Sequence, residues 1–185
     1  MTFPQPAYVI SEEEYLTGEQ ESTIRHEYVN GQVYAMAGAS DKHNLVAGNV
    51  FSLLHTQLPD HCEVFMSDMK VRIQTKTDLL FYYPDVVVSC AEDDRATYYR
   101  EKPCLIIEVL SQSTERQDRF EKFWTYQQIP TLQDYLLLAQ DRQHVTLFRR
   151  SNEWQPEAYR EGTFHLTSVN LDISLDALYR RVRFD

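Results

Sequence analysis

Apolar and polar positions alternate along much of the chain, which predicts strands; in a few stretches apolar residues recur every three or four positions, which predicts helices. Ser11-Glu12-Glu13-Glu14 ahead of Tyr15-Leu16 is a capping box with acids in its first turn, predicting a short helix that ends near Gly18. His26-Glu27-Tyr28-Val29 and Gln32-Val33-Tyr34-Ala35-Met36 flank Asn30-Gly31, a dipeptide suited to a two-residue hairpin turn. Ser40 caps a second helix, with Asp41 in its first turn. Its Leu45, Val46, Val50, Phe51, Leu53, Leu54 and Leu58 would face a core, and Pro59-Asp60 closes it. Strands are predicted over 62–66, 69–74 and 80–89. In the second, Lys70, Arg72 and Gln74 form a wetter side against Val71 and Ile73. In the third, Val86-Val87-Val88 suggests burial on both faces.

Residues 91–101 are charged and fit either a loop or a short helix. The apolar density of 104–110 predicts a central strand. Thr114 and Gln117 have capping-box spacing for a helix that stops ahead of Ile129-Pro130. Strands follow over 134–139 and 145–148, around the Asp141-Arg142-Gln143 turn. A terminal hairpin is predicted from 153–159 and 163–166 around Glu161-Gly162. A last short helix begins near Ser174 and carries Leu175, Leu178 and Tyr179. No repeat or compositional boundary interrupts the pattern. Residues 1–185 are therefore expected to form a single α+β (or α/β) domain, a mixed sheet packed by helices.

Composition narrows the class. At 185 residues, with 43% hydrophobic and 25% charged positions, the chain suits one well-buried globular domain. No apolar run is long enough for a membrane span, and residues 1–15 lack the pattern of a signal peptide. Cys62, Cys90 and Cys104 show no C-x-x-C spacing, so they are expected as buried free thiols of a cytoplasmic protein, without zinc. The net charge of −10 argues against a globally basic, phosphate-gripping surface. Either a local basic cleft is set into an acidic body, or the partner is not nucleic acid; a few of the acids would suit a site that awaits a cation.

The candidate chemistry gathers between residues 83 and 126. Asp85 opens one apolar run, and Glu108 sits at the far end of another, Leu105-Ile106-Ile107. On neighbouring strands of suitable register they would offer two hard oxygen ligands to Mg²⁺ or Mn²⁺, with the main-chain carbonyl of Val109 as a third. Such a cation polarises a phosphate and acidifies a bound water. The plainer reading is a turn aspartate and an edge glutamate, although burying an unpaired charge is costly. Further on, Glu115, Asp118, Lys122 and Tyr126 share one helix face, with Phe120, Phe123 and Trp124 on the other. That polar face is either solvated, with an Asp118–Lys122 pair, or turned toward the strand ends. In the second case Lys122 would orient water or stabilise transition-state charge, positioned by Asp118, with Tyr126 hydrogen-bonding nearby. Glu27 is a candidate further acid, and His43 a phosphate contact or proton carrier, if not merely structural. Lys70 and Arg72 would line a phosphate path or an exposed strand face. No GxGxxG, P-loop or GxSxG signal occurs.

YPDVVV (83–88), IIEVLSQST (106–114) and DRFEKFWTY (118–126) together resemble the PD-(D/E)XK nuclease superfamily, and within it the bacterial putative restriction endonuclease family of small stand-alone proteins. EYVNGQVYAMAGAS (27–40) with His43 resembles that family's opening, and DISLDALY (172–179) its ending. The resemblance spans nearly the whole chain. It implies a restriction-endonuclease-like fold, a mixed sheet flanked by helices, and Mg²⁺-dependent hydrolysis of DNA phosphodiesters. By carry-over Asp85 matches the metal-binding aspartate and Glu108 the second acid. Leu110 stands where the family's usual lysine would be, and the resemblance implies that Lys122 takes its role. A homodimer would place one site on each DNA strand. The alternative is a catalytically inactive module that keeps the fold and acts as a binding protein.

Overall fold

A computed structural model describes residues 9–36, 38–111 and 117–184. Helix α1 (Glu12–Glu21) starts on the expected capping box: the Glu14 N–H donates to Ser11 Oγ, and Glu14 Oε2 accepts from the Ser11 N–H. It runs past Gly18 to Glu21. One interior glycine costs only about 1 kcal/mol, and Tyr15, buried against Tyr28 and Phe81, anchors the helix. Strands β1 (His26–Val29) and β2 (Gln32–Ala35) form the expected hairpin. Asn30 and Gly31 both take positive φ, 49° and 87°, which suits the twist of the flanking strands.

Ser40 caps α2 (Asp41–Gln57), whose Val46, Ala47, Val50 and Leu54 are buried. Leu45, expected in the core, is exposed instead. It sits one residue, about 100°, to the side of the buried stripe. Strands β3 (Glu63–Met66), β4 (Lys70–Gln74), β5 (Leu79–Tyr82), β6 (Val86–Ser89), β7 (Tyr99–Arg100) and β8 (Leu105–Leu110) follow. The single strand expected over 80–89 is two strands in two different sheets. Pro84 has no N–H for a ladder, and the break at Tyr83-Pro84-Asp85 is where the chain crosses between sheets. The charged 91–101 stretch is turns ending in β7.

A π-helical turn, Gln117–Lys122, runs into α3 (Phe123–Tyr126). The Thr114 cap and Glu115 lie outside the described residues. The chain ends in β9 (Asp134–Ala139), β10 (Val145–Arg149), β11 (Pro156–Tyr159), β12 (Thr163–Leu166), β13 (Leu171–Ser174) and α4 (Leu175–Leu178). β11 and β12 do not form the expected hairpin. β11 pairs with β10, while β12 pairs with β13, a strand that the pattern at 171–174 did not announce. The β12–β13 pair turns Phe164, Leu166 and Ile173 into the core, which a β11–β12 hairpin would not do.

The sheets run β2-β1-β5-β4-β7 and β11-β10-β9-β8-β6-β3, with β12–β13 apart. Both larger sheets are mixed: β4 and β7 pair in parallel, as do β8 and β9, and the remaining pairs are antiparallel. β8 alternates between two cores. Leu105, Ile107 and Val109 pack with α2 and α4; Ile106 and Leu110 join β4, β5 and α3. The fold is thus α+β, mixed sheets flanked by helices. No helix among the described residues is long and apolar enough to cross a membrane.

The cysteines depart from expectation. Cys62 and Cys90 form a disulfide, and only Cys104 is free. The Glu63–Ser89 pairing of β3 and β6 carries the two flanking cysteines opposite one another, a juxtaposition invisible in their spacing along the chain. The Cys104 Sγ lies 3.7 Å from that of Cys90, and burial pushes its pKa up to about 11.

Candidate active site

The pairing of β6 with β8 sets Val86 opposite Ile107, Val87 opposite Ile106 and Val88 opposite Leu105. One further step in that register brings Asp85 opposite Glu108, and Cβ atoms of directly opposed residues lie about 5 Å apart. Each acid is latched to the backbone of the opposite strand. The Asp85 N–H donates to Glu108 Oε2 at 3.3 Å, and the Val109 N–H donates to Asp85 Oδ2 at 2.7 Å. Val109 therefore enters the site through its N–H. In a strand the N–H and C=O of one residue point to the same flank, so its carbonyl faces the Asp85 side as well.

The helix after β8 is inverted relative to an ordinary surface helix. Its polar residues Lys122 and Tyr126 are buried, whereas Phe120 and Trp124 are 59% and 64% exposed. Phe123 packs on Tyr135 and Phe148. Lys122 Nζ lies 2.8 Å from Glu27 Oε1 and 3.4 Å from Glu108 Oε1. Its ammonium also sits 5.5 Å from the centroid of the Tyr82 ring. The Tyr126 hydroxyl donates to Glu108 Oε1 at 3.1 Å. Burial first, then the Glu108 charge, push the Tyr126 pKa well above its usual value, so this hydroxyl stays a proton donor. A solvated Lys122 is thus ruled out by its burial. The side chain of Asp118 lies outside the described residues.

Glu27 reaches this point from β1, in the other large sheet. The hairpin turn at Asn30-Gly31 fixes the β1 register, and Tyr28 on the opposite face packs under α1. His43 arrives from the first turn of α2, where its N–H donates to the Ser40 cap. Its Nε2 is 3.2 Å from Asp85 Oδ2. Lys70 and Arg72 are engaged elsewhere. Arg72 binds Glu12 and Glu101, and Lys70 lies over the Tyr83 ring, its pKa lowered by burial. Tyr82 is the site residue that sequence reasoning missed; its place directly before Tyr83-Pro84-Asp85 was the available signal.

Among the described residues, then, Glu108 and Glu27 both contact Lys122, Asp85 stands opposite Glu108, and all four side chains are less than a fifth exposed. That charge balance suits a bound cation. Among the same residues no three His, Cys, Asp or Glu side chains converge as a complete metal cage. A hard divalent ion held by Asp85 and Glu108, completing its shell with water or phosphate oxygens, fits this donor set. Lys122 stands between Glu27 and that pair, 2.8 Å from Glu27 Oε1 and 3.4 Å from Glu108 Oε1.

Residues 12–177 match the model of a family described as Uma2, putative restriction endonuclease. Two relatives are uncharacterized proteins of Synechocystis sp. One is 36% identical over 180 residues, covering 95% of this chain and 94% of its own length. The other is 34% identical over 151 residues, covering 80% and 84%. Among solved structures, a putative nuclease from Anabaena variabilis superposes with a TM-score of 0.69 at 17% identity, over 85% of this chain and 91% of that one. At that identity the likeness concerns the fold.

Proposed function

The chain belongs to the Uma2 family of putative restriction endonucleases, and from that premise we propose that it is a Mg²⁺- or Mn²⁺-dependent endonuclease acting on DNA phosphodiesters. The observation that carries this reading is the opposition of Asp85 and Glu108 across two strands, with the Lys122 ammonium bonded to Glu108. Asp85 and Glu108 would hold the cation, which when bound polarises the phosphodiester and acidifies an attacking water. Asp85 is aimed by the Val109 N–H. Glu108 is held by the Asp85 N–H on one oxygen and by Tyr126 on the other. Lys122, gripped by Glu27, donates toward the phosphate oxygens on which charge develops, in a pocket where burial strengthens that interaction. His43 stands beside Asp85, within reach of a phosphate or of a proton in transit.

The test is cleavage of plasmid DNA with Mg²⁺ or Mn²⁺ by wild type, Asp85→Ala and Glu108→Ala. Loss of cleavage in both variants is the expected outcome. Equal cleavage by all three would overturn the assignment. The net charge of −10 and Leu110 motivate a second reading, a non-catalytic binding module. Calorimetric titration with Mn²⁺ separates the two: binding abolished in Glu108→Ala counts against the module.

A further inference from the structure

A cleft of about 1000 Å³ opens between the turn joining β4 to β5 and the outer side of α3. This lies at the upper end of the roughly 300–1,000 Å³ typical of small-molecule sites. Trp124 forms one wall, and Tyr82 belongs to the lining as well. Lys122 lies over the same Tyr82 ring, so this ring is a wall shared by the cleft and the candidate active site. An indole left 64% exposed beside such a cleft, touching the Phe123 ring on one side only, is apolar surface open to a ligand.

The charge of the lining narrows the occupant. Lys76 is set against Asp78 and Glu121, so the cleft does not favour phosphates. The whole chain carries −10. An acidic protein that holds a polyanion must draw affinity from neutral contacts, and every nucleobase has a π-face that stacks on an aromatic ring. Gln128, exposed in this lining, offers its amide oxygen to a base edge, whereas the Gln74 amide is held by Arg72, Thr75 and Asp78. Bases inside a duplex present no free face to such a wall.

We infer that this cleft receives an unpaired nucleobase, stacked on Trp124, from the strand whose phosphate lies at the acid pair, so that the chain prefers single-stranded or locally opened substrate. The inference rests on the nuclease reading and specifies its substrate class. Binding is measured in chelator, without turnover, by the anisotropy of a dye-labelled oligonucleotide for every variant and by tryptophan fluorescence for the wild type. The probes are a single-stranded deoxyoligonucleotide and the blunt duplex of the same sequence. Trp154, the chain's other tryptophan, is partly buried beside Phe123 and Arg150 and serves as the internal reference.

The expected result is quenching by the single strand and little by the duplex. Trp124→Ala should weaken single-strand binding by roughly tenfold or more, with Trp124→Phe partly restoring it. Exposure of Trp124 keeps folding out of the comparison. Equal affinity of the alanine variant, or tighter binding of the duplex, would overturn the inference. So would light scattering in which Trp124→Ala turns a dimer into a monomer with nucleic-acid affinity intact, since that assigns the indole to self-association. Asp85→Ala separates the two readings. Trp124-dependent quenching without cleavage by wild type would sink the nuclease assignment alone. Cleavage abolished by Asp85→Ala but indifferent to Trp124 in binding would sink the stacking alone.

Discussion

Lys122 shows how much can rest on one buried ammonium. Its removal leaves Glu27 and Glu108 facing each other across a dry pocket, and breaking a buried ion pair typically costs about 3–5 kcal/mol. Lys122→Ala should therefore lower stability by about that amount in urea denaturation, apart from any loss of cleavage. A loss below about 1 kcal/mol would contradict the buried geometry. Tyr126 supplies a pH test. Its folded-state pKa is raised, so between the unfolded value near 10 and the folded value the unfolded chain loses a proton that the folded chain keeps. Stability present below pH 10 is lost as pH rises above it, by up to about 1.4 kcal/mol per pH unit for one proton. Tyr82 is raised by burial too and contributes with the same sign. Tyr126→Phe should flatten the alkaline limb by one proton's share, measured by denaturant melts from pH 9 upward. At this scale the sequence was partly legible. Asp85 and Glu108 stood out because a charge on an apolar run demands a partner. The inward turn of Lys122 was not decidable, because its closest partner, Glu27, comes from a different sheet.

Among the elements, the legible ones carry local chemistry: three serine-capped helices and the Asn30-Gly31 hairpin. Gly31→Ala tests the hairpin. An added Cβ would clash with Val9 Cγ1, and φ of 87° is strained for any side chain. A loss of about 1–2 kcal/mol is expected, read as a lower thermal midpoint. The illegible elements are those decided by distant pairing. The valine run after Pro84 gave no sign that residues 79–82 belong to another sheet, and 163–166 found its partner downstream at 171–174 instead of upstream. The same holds for the Cys62–Cys90 bond, which follows from strand register. Thiol titration of the denatured, unreduced protein should find one reactive group per chain, and three after reduction. Three before reduction would remove the disulfide.

For the whole molecule, acidity sets the terms of any encounter with nucleic acid. Few phosphates can be neutralised by a body of charge −10. The affinity for oligonucleotides should therefore fall gently with salt, with a log–log slope shallower than about −3, against about −10 for strongly phosphate-gripping proteins. A steep slope would point to a basic surface that the composition does not suggest. The Glu27–Lys122–Glu108 contact has a mechanical consequence. It is a charged rivet between the two large sheets, alongside the Arg100–Glu63 pair of β7 and β3. A phosphate that draws the ammonium toward itself must slacken the rivet on the Glu27 side, so filling the pocket and the spacing of the two slabs are coupled. Amide hydrogen exchange along β1 would then quicken when an oligonucleotide docks.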